Sequence, residues 1–217
     1  MTSGLPDAGI PAIGLRRMRW WDIEAVQRIE EDLFADDPWS LEMFWSELAA
    51  VPASRYYVVA DVGASGAAGA AGAAEPAESA GADIAGYAGL MTQPGAVAGE
   101  FEGWVQNIAV ARARQGRGFG GTLLTALIEE ALRRSCSALW LEVRTDNVLA
   151  QSLYRHFGFE SAGLRRGYYQ PGNHDALIMR LDLANAVSST VSSAVSSTLS
   201  EPSSSILSET PGKEPRQ

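Results

Sequence analysis

An apolar run, Asn107 to Val110, leads into a glycine-rich turn, Gln115-Gly116-Arg117-Gly118-Phe119-Gly120-Gly121, and then into an amphipathic stretch from Thr122 to Leu132. That order reads as strand, tight turn, helix. Such a turn leaves several backbone N–H groups free to face one ligand, and the helix dipole adds partial positive charge at the same point. Arg112, Arg114 and Arg117 lie in this turn, in a chain whose formal net charge is −9. A basic cluster in an otherwise acidic chain points to a bound anion, most simply a phosphate group.

The pattern on either side extends the same reading. Ile10 to Arg17 reads as a short strand. Asp22 to Leu33 carries Ile23, Val26, Ile29 and Leu33 on one helical face. Pro38-Trp39-Ser40 reads as a turn, with Ser40 as N-cap of a helix over Leu41 to Leu48. Tyr56 to Ala60, Ile84 to Leu90 and Phe101 to Val110 read as strands. A long helix is predicted over Gly118 to Arg134, its buried stripe formed by Leu123, Leu124, Leu127, Ile128, Ala131 and Leu132. Ala138 to Val143 reads as an apolar strand and Asn147 to Phe157 as a helix stopped by Gly158. Phe159 to Arg166 and Leu177 to Leu183 close the chain as strands. The order β-α-α-β-β-β-α-β-α-β-β predicts an α/β fold, a mixed central sheet with helices on both faces.

Two segments stand outside this pattern. Residues 62–82 hold ten alanines and five glycines, which reads as a flexible expansion of the hairpin between two strands. Residues 184–217 hold eleven serines, with Val-Ser-Ser repeating from Val187, Val191 and Val195. Isolated valines bury too little area to offset the entropy of ordering, so this segment reads as a disordered tail. The expected organisation is one domain over 10–183, interrupted by the insertion, followed by the tail.

The acidic balance, with a pI near 4.7, leaves no broad basic face for nucleic acid. Cys136 is the only cysteine, so no internal disulfide forms, and a reducing cytoplasm fits. No basic n-region with a long apolar core begins the chain, and no apolar run approaches the roughly 18 residues a membrane span needs. His156 and His174 are too few and too poorly accompanied for a metal site.

The runs NIAV, QGRGFGGTLL, LWLEVR-TDN and LYRHFGF, in that order and spacing, resemble the Gcn5-related N-acetyltransferases. With PWS at 38–40 and RRGYY at 165–169, the chain is similar to the RimI-type branch, the bacterial ribosomal-protein alanine N-acetyltransferases. The resemblance covers roughly Ile13 to Leu183 without the insertion. It implies acetyl-CoA as co-substrate, without a metal. The backbone of Ile108, Ala109 and Val110 would pair with the pantetheine arm, as a strand would at an open sheet edge. The turn with Gly116, Arg117, Gly118, Phe119, Gly120 and Gly121 would hold the pyrophosphate, and Asn147 matches a cofactor-contacting position. Gly116 departs from the commoner pattern, which has a basic residue there; Arg114 or Arg117 would compensate.

The resemblance also assigns chemistry. Glu142 matches the general base, acting directly or through water, and Tyr154 the general acid that returns a proton to the sulfur. A backbone N–H near Val110 would polarise the thioester carbonyl. The expected activity is acetyl transfer to an N-terminal alanine of a small-subunit ribosomal protein, in the cytoplasm. Two other readings fit the same residues: acetylation of a small-molecule amine, or a non-catalytic acetyl-CoA-binding partner protein. Taken alone, Glu142 is a solvated strand residue and Tyr154 a half-buried core aromatic. Cys136 reads as a small buried hydrophobe, and Arg165-Arg166 as a solvated strand edge. Tyr168 and Tyr169 match a segment near the acceptor's mouth.

Overall fold

A computed structural model describes residues 14–62 and 83–183. The alanine- and glycine-rich insertion beyond Val62 and the serine-rich tail lie outside the described residues. The elements are β1 (Gly14–Arg17), α1 (Ile23–Leu33), α2 (Leu41–Ala49), β2 (Arg55–Asp61), β3 (Ile84–Pro94) and β4 (Phe101–Val110). They continue with α3 (Phe119–Arg133), β5 (Cys136–Arg144), α4 (Val148–His156), β6 (Glu160–Tyr169) and β7 (His174–Asp182). The strands form one sheet in the order β1-β2-β3-β4-β5-β7-β6. Every neighbouring pair is antiparallel except β4 with β5. This is the mixed sheet that the sequence pattern predicts.

Strand periodicity sorts the side chains onto two faces. Val58, Ala60, Ala88, Leu90, Leu139, Leu141 and Val143 pack with the buried stripe of α3 and with Tyr154 and Phe159. Their sequence neighbours Tyr57, Val59 and Tyr87 point the other way, against Ile23, Val26 and Ile29 of α1 and Phe44 of α2. The α3 stripe is buried at Leu123, Leu124, Leu127 and Ala131 and half-buried at Ile128, but its last member is not buried. Leu132 is exposed, while Glu130 goes under, its carboxylate held by Arg133 and Arg134.

Local signals hold where they rest on backbone chemistry. Ser40 Oγ accepts from the Met43 N–H at 3.4 Å and caps α2. Gly118, the residue before α3, has φ +86°, the left-handed region that glycine enters freely. Strands β2 and β3 are direct antiparallel partners, and the Val62 N–H donates to Asp83 O at 3.0 Å at the base of the insertion. The last hairpin is longer than the sequence pattern suggests. Strand β6 runs to Tyr169 and β7 begins at His174. Gly167 sits in a bulge at φ +58° inside β6, its N–H donating to Asp175 Oδ1 at 2.8 Å.

The feature that positions the site is a fork. β4 pairs with β5 only from Phe101 to Trp104, opposite Cys136 to Trp140. Beyond that point β4 keeps β3 on one side and, among the described residues, has no strand on the other. The pairing shift after Gly89 skips Gln106, placing a bulge in β4 just past the fork.

Candidate active site

The side chains around the fork divide between the two faces. Leu141 and Val143 belong to the α3 core, so Glu142 between them points to the opposite face. Tyr154, on α4, belongs to the α3 core and is buried. A carboxylate and a phenol therefore flank the diverging strands from opposite sides.

Glu142 is not free. Its Oε1 forms an ion pair with Arg165 Nη1 at 2.6 Å, and the carboxylate is mostly buried. The Glu142 side chain is also the main reason the Tyr168 phenol pKa is raised, with burial second. The Arg165 guanidinium lies over the Tyr168 ring, 5.4 Å from its centroid. Arg165 stays exposed on the edge strand β6, as the sequence suggests, and is also the ion-pair partner of Glu142. Tyr169 completes the group: its hydroxyl donates to Glu142 O at 3.3 Å. Burial, with the Glu142 carboxylate as second cause, pushes the Tyr169 phenol up to about 12. Burial likewise raises the Tyr154 phenol far above the ordinary tyrosine value, with Tyr169 adding to it. Both hydroxyls stay protonated at neutral pH, the form that donates.

The turn before α3 has the features of an anion cradle. Gly116 and Gly118 have φ of +73° and +86° with open space where a Cβ would stand. Among the backbone N–H groups at the helix start, that of Thr122 is the first to find an intrahelical acceptor, Gly118 O at 3.1 Å. Those of Phe119, Gly120 and Gly121 precede it and are helix-terminal donors. The basic cluster resolves unequally. Arg112 Nε pairs with Asp32 Oδ2 at 3.1 Å, and Arg114 pairs with Asp83. Arg117 is exposed and has no ion pair among the described residues, so it is the cation left for an anion. Gln115 Nε2 donates to Val110 O at 3.0 Å and ties the turn to the end of β4.

Ile108, Ala109 and Val110 lie on the part of β4 that pairs with β3 alone, so their other edge carries backbone groups without a strand. A bound chain with amide groups fits such an edge. Asn147 stands at the start of α4 with Oδ1 accepting from the Ala150 N–H at 3.1 Å. Its side chain is a helix cap here, with Nδ2 remaining to reach a ligand. Gln151, which sequence reasoning passed over, is buried and donates through Nε2 to Arg144 O and Thr145 O, each at 3.0 Å. It fixes the turn that joins Glu142's strand to Tyr154's helix. A concavity of about 470 Å³ lies elsewhere, lined by Arg17, Thr92, Phe101, Arg133 and Arg134 near the start of β4. It touches none of these residues and plays no part in the site.

The comparisons with known proteins agree with this geometry. The family described as "Acetyltransferase (GNAT) family" matches residues 17–159. The N-alpha-acetyltransferase RimI of Mycobacterium tuberculosis is 38% identical over 162 residues, covering 74% of this chain and 87% of the relative. The ribosomal protein bS18-alanine N-acetyltransferase of Escherichia coli is 45% identical over 80 residues, 36% of this chain and 54% of the relative. A crystal structure of the ribosomal-protein-S18-alanine N-acetyltransferase from Escherichia coli superposes with a TM-score of 0.58 at 29% identity, covering 79% of this chain and 94% of that one. Among the described residues no helix is long and apolar enough to cross a membrane. The forked sheet, the cradle before α3 and these matches agree: this chain belongs to the GNAT acetyltransferase family.

Proposed function

We propose that the chain transfers the acetyl group of acetyl-CoA to the α-amino group of an N-terminal alanine, with ribosomal protein bS18 as the acceptor. The observation that carries this reading is the division of the fork, a carboxylate on one face and a protonated phenol on the other. The name of the Escherichia coli relative adds the acceptor. An acceptor of that kind places the enzyme in the cytoplasm.

Acetyl-CoA supplies the thioester. Ile108, Ala109 and Val110 would hold its pantetheine arm through the open edge of β4. The N–H groups from Gly116 to Gly121, with Phe119 and Arg117 among them, would hold the pyrophosphate. Asn147 Nδ2 would contact the arm at the rim. The α-amino group has an ordinary pKa of about 7.7–8.0, so a carboxylate close by, or a water held on it, suffices as base. Arg165 already occupies Oε1 of Glu142, so the proton passes to the other carboxylate oxygen or to a water there. A backbone N–H near Val110 polarises the carbonyl. Tyr154 gives its hydroxyl proton to the sulfur as the C–S bond breaks. Tyr168 and Tyr169, beside Glu142, line the acceptor's mouth.

Mass spectrometry of small-subunit ribosomal proteins from a strain lacking this chain tests the reading. The expected result is bS18 without its N-terminal acetyl group, restored by the purified enzyme with acetyl-CoA. Unchanged N-terminal masses throughout would overturn it.

A further inference from the structure

Among the described residues, four buried side-chain atoms have no hydrogen-bond partner: Nε1 of Trp104, Nε1 of Trp140, and both Oδ1 and Nδ2 of Asn107. Folded proteins leave few such atoms, and each one asks what supplies its partner. These four do not scatter. All sit on β4 and β5 at the fork, where the two indoles stack with centroids 5.6 Å apart.

All four also lie on Glu142's side of the sheet. A Cβ on Gly103 would meet Leu139, Leu90 and Ala131 of the α3 core, so Trp104, the next residue, points away from it. Trp140 alternates with Leu139 and Leu141 of that core and precedes Glu142 by two residues. Asn107 Oδ1 lies 2.7 Å from the place a Gly89 Cβ would take, beside the Tyr57 ring on the α1–α2 face. Tyr57 closes the β3 side of Asn107 and is itself anchored, its hydroxyl donating to Glu47 Oε2 at 3.0 Å.

The donor set defines a ligand. Indole N–H groups only donate; an Asn side chain donates and accepts in one plane. An ammonium alone satisfies none of the three donors. A peptide group supplies both kinds of partner from its two opposite edges, its N–H donating to Asn107 Oδ1 and its carbonyl accepting from an indole N–H beside it. In an acceptor chain the first peptide group follows directly on the α-amino group. A lysine side chain carries no such group within four methylenes of its amine. We propose that Asn107, flanked by the indole N–H groups of Trp104 and Trp140, binds the first peptide group of the acceptor and so selects α-amines over side-chain amines. This rests on the reading of the chain as an N-terminal acetyltransferase.

Two measurements test it. An Ala-starting peptide is compared with the depsipeptide in which an ester replaces its first amide, using the wild type and Asn107→Ala. In the wild type the ester raises KM about tenfold, the effect of one lost hydrogen bond. Asn107→Ala raises the KM for the amide peptide by a similar factor, leaves the KM for acetyl-CoA unchanged, and responds no further to the ester. Independent, multiplying effects, or an unchanged peptide KM in the variant, would overturn the proposal. The second measurement needs no variant of Asn107 and no turnover: the indole ¹⁵N–¹H signals of Trp104 and Trp140, assigned with Trp104→Phe and Trp140→Phe, move when the Ala-starting peptide is added to the CoA complex. Signals that stay in place would also overturn it. A wild type that acetylates no Ala-starting peptide counts against the function itself, and the indole signals then still decide whether the fork binds a peptide group.

Discussion

Two side-chain oxygens, one on each face of the sheet, carry the proposed chemistry. Glu142→Gln removes the proton acceptor and Tyr154→Phe the donor. Each is expected to lower kcat/KM at least about tenfold, within the usual range for acid–base groups, while acetyl-CoA still raises Tm. Because burial raises the Tyr154 phenol, its loss of a proton sets no alkaline limb on the rate up to about pH 10, the ordinary tyrosine value. A pH–rate profile of the wild type against Tyr154→Phe checks this. A second buried acid acts on stability. Glu30 accepts from the Tyr87 hydroxyl, and burial raises its pKa against the lowering effect of that bond. The folded state therefore holds this proton to higher pH than the unfolded chain does. The contribution is full below the ordinary glutamate value of about 4.3 and is lost as pH rises through the raised one. Glu30→Gln should abolish that slope, so the Tm difference between variant and wild type shifts in the variant's favour from pH 4 to pH 8.

Single glycines decide how elements meet. A Cβ on Gly89 would stand 2.3 Å from the Tyr57 ring. Gly89→Ala must displace that ring, with an overpacking cost of about 1–3 kcal/mol read as a lower urea midpoint at unchanged slope. Arg117 is the turn's cation without an ion pair among the described residues, and Arg117→Gln should raise the KM for acetyl-CoA several-fold without changing the peptide KM. The order of elements, the faces of α1 and α3, and the cap at Ser40 were all legible in the sequence, because each depends on residues within one or two turns of one another. The partnership of Arg165 with Glu142 was not. It spans β6 and β5 with β7 between them, and only the register of three strands brings the two together. The Trp104–Trp140 stack was hidden for the same reason, since it needs β4 and β5 aligned at the last paired residues before they part. Asn107 was visible only as one letter of a strand. Nothing local marks its amide as unpartnered.

For the whole molecule, the net charge of −9 favours encounter with basic acceptors. The kcat/KM for an Ala-starting peptide with arginines downstream should fall as ionic strength rises from roughly 0.05 to 0.3 M, and a neutral peptide should respond less. The short seam between β4 and β5 has a mechanical corollary. Strands β1 to β4 form one leaf and β5, β7 and β6 another, and among the described residues strand pairing joins them only from Phe101 to Trp104. A co-substrate laid along the β4 margin and against the starts of α3 and α4 acts as a second stitch between the leaves. Saturation to about 100 times Kd adds roughly 2.7 kcal/mol to the folded state. Amide exchange should then slow furthest in the distal leaf, strands that the co-substrate never touches.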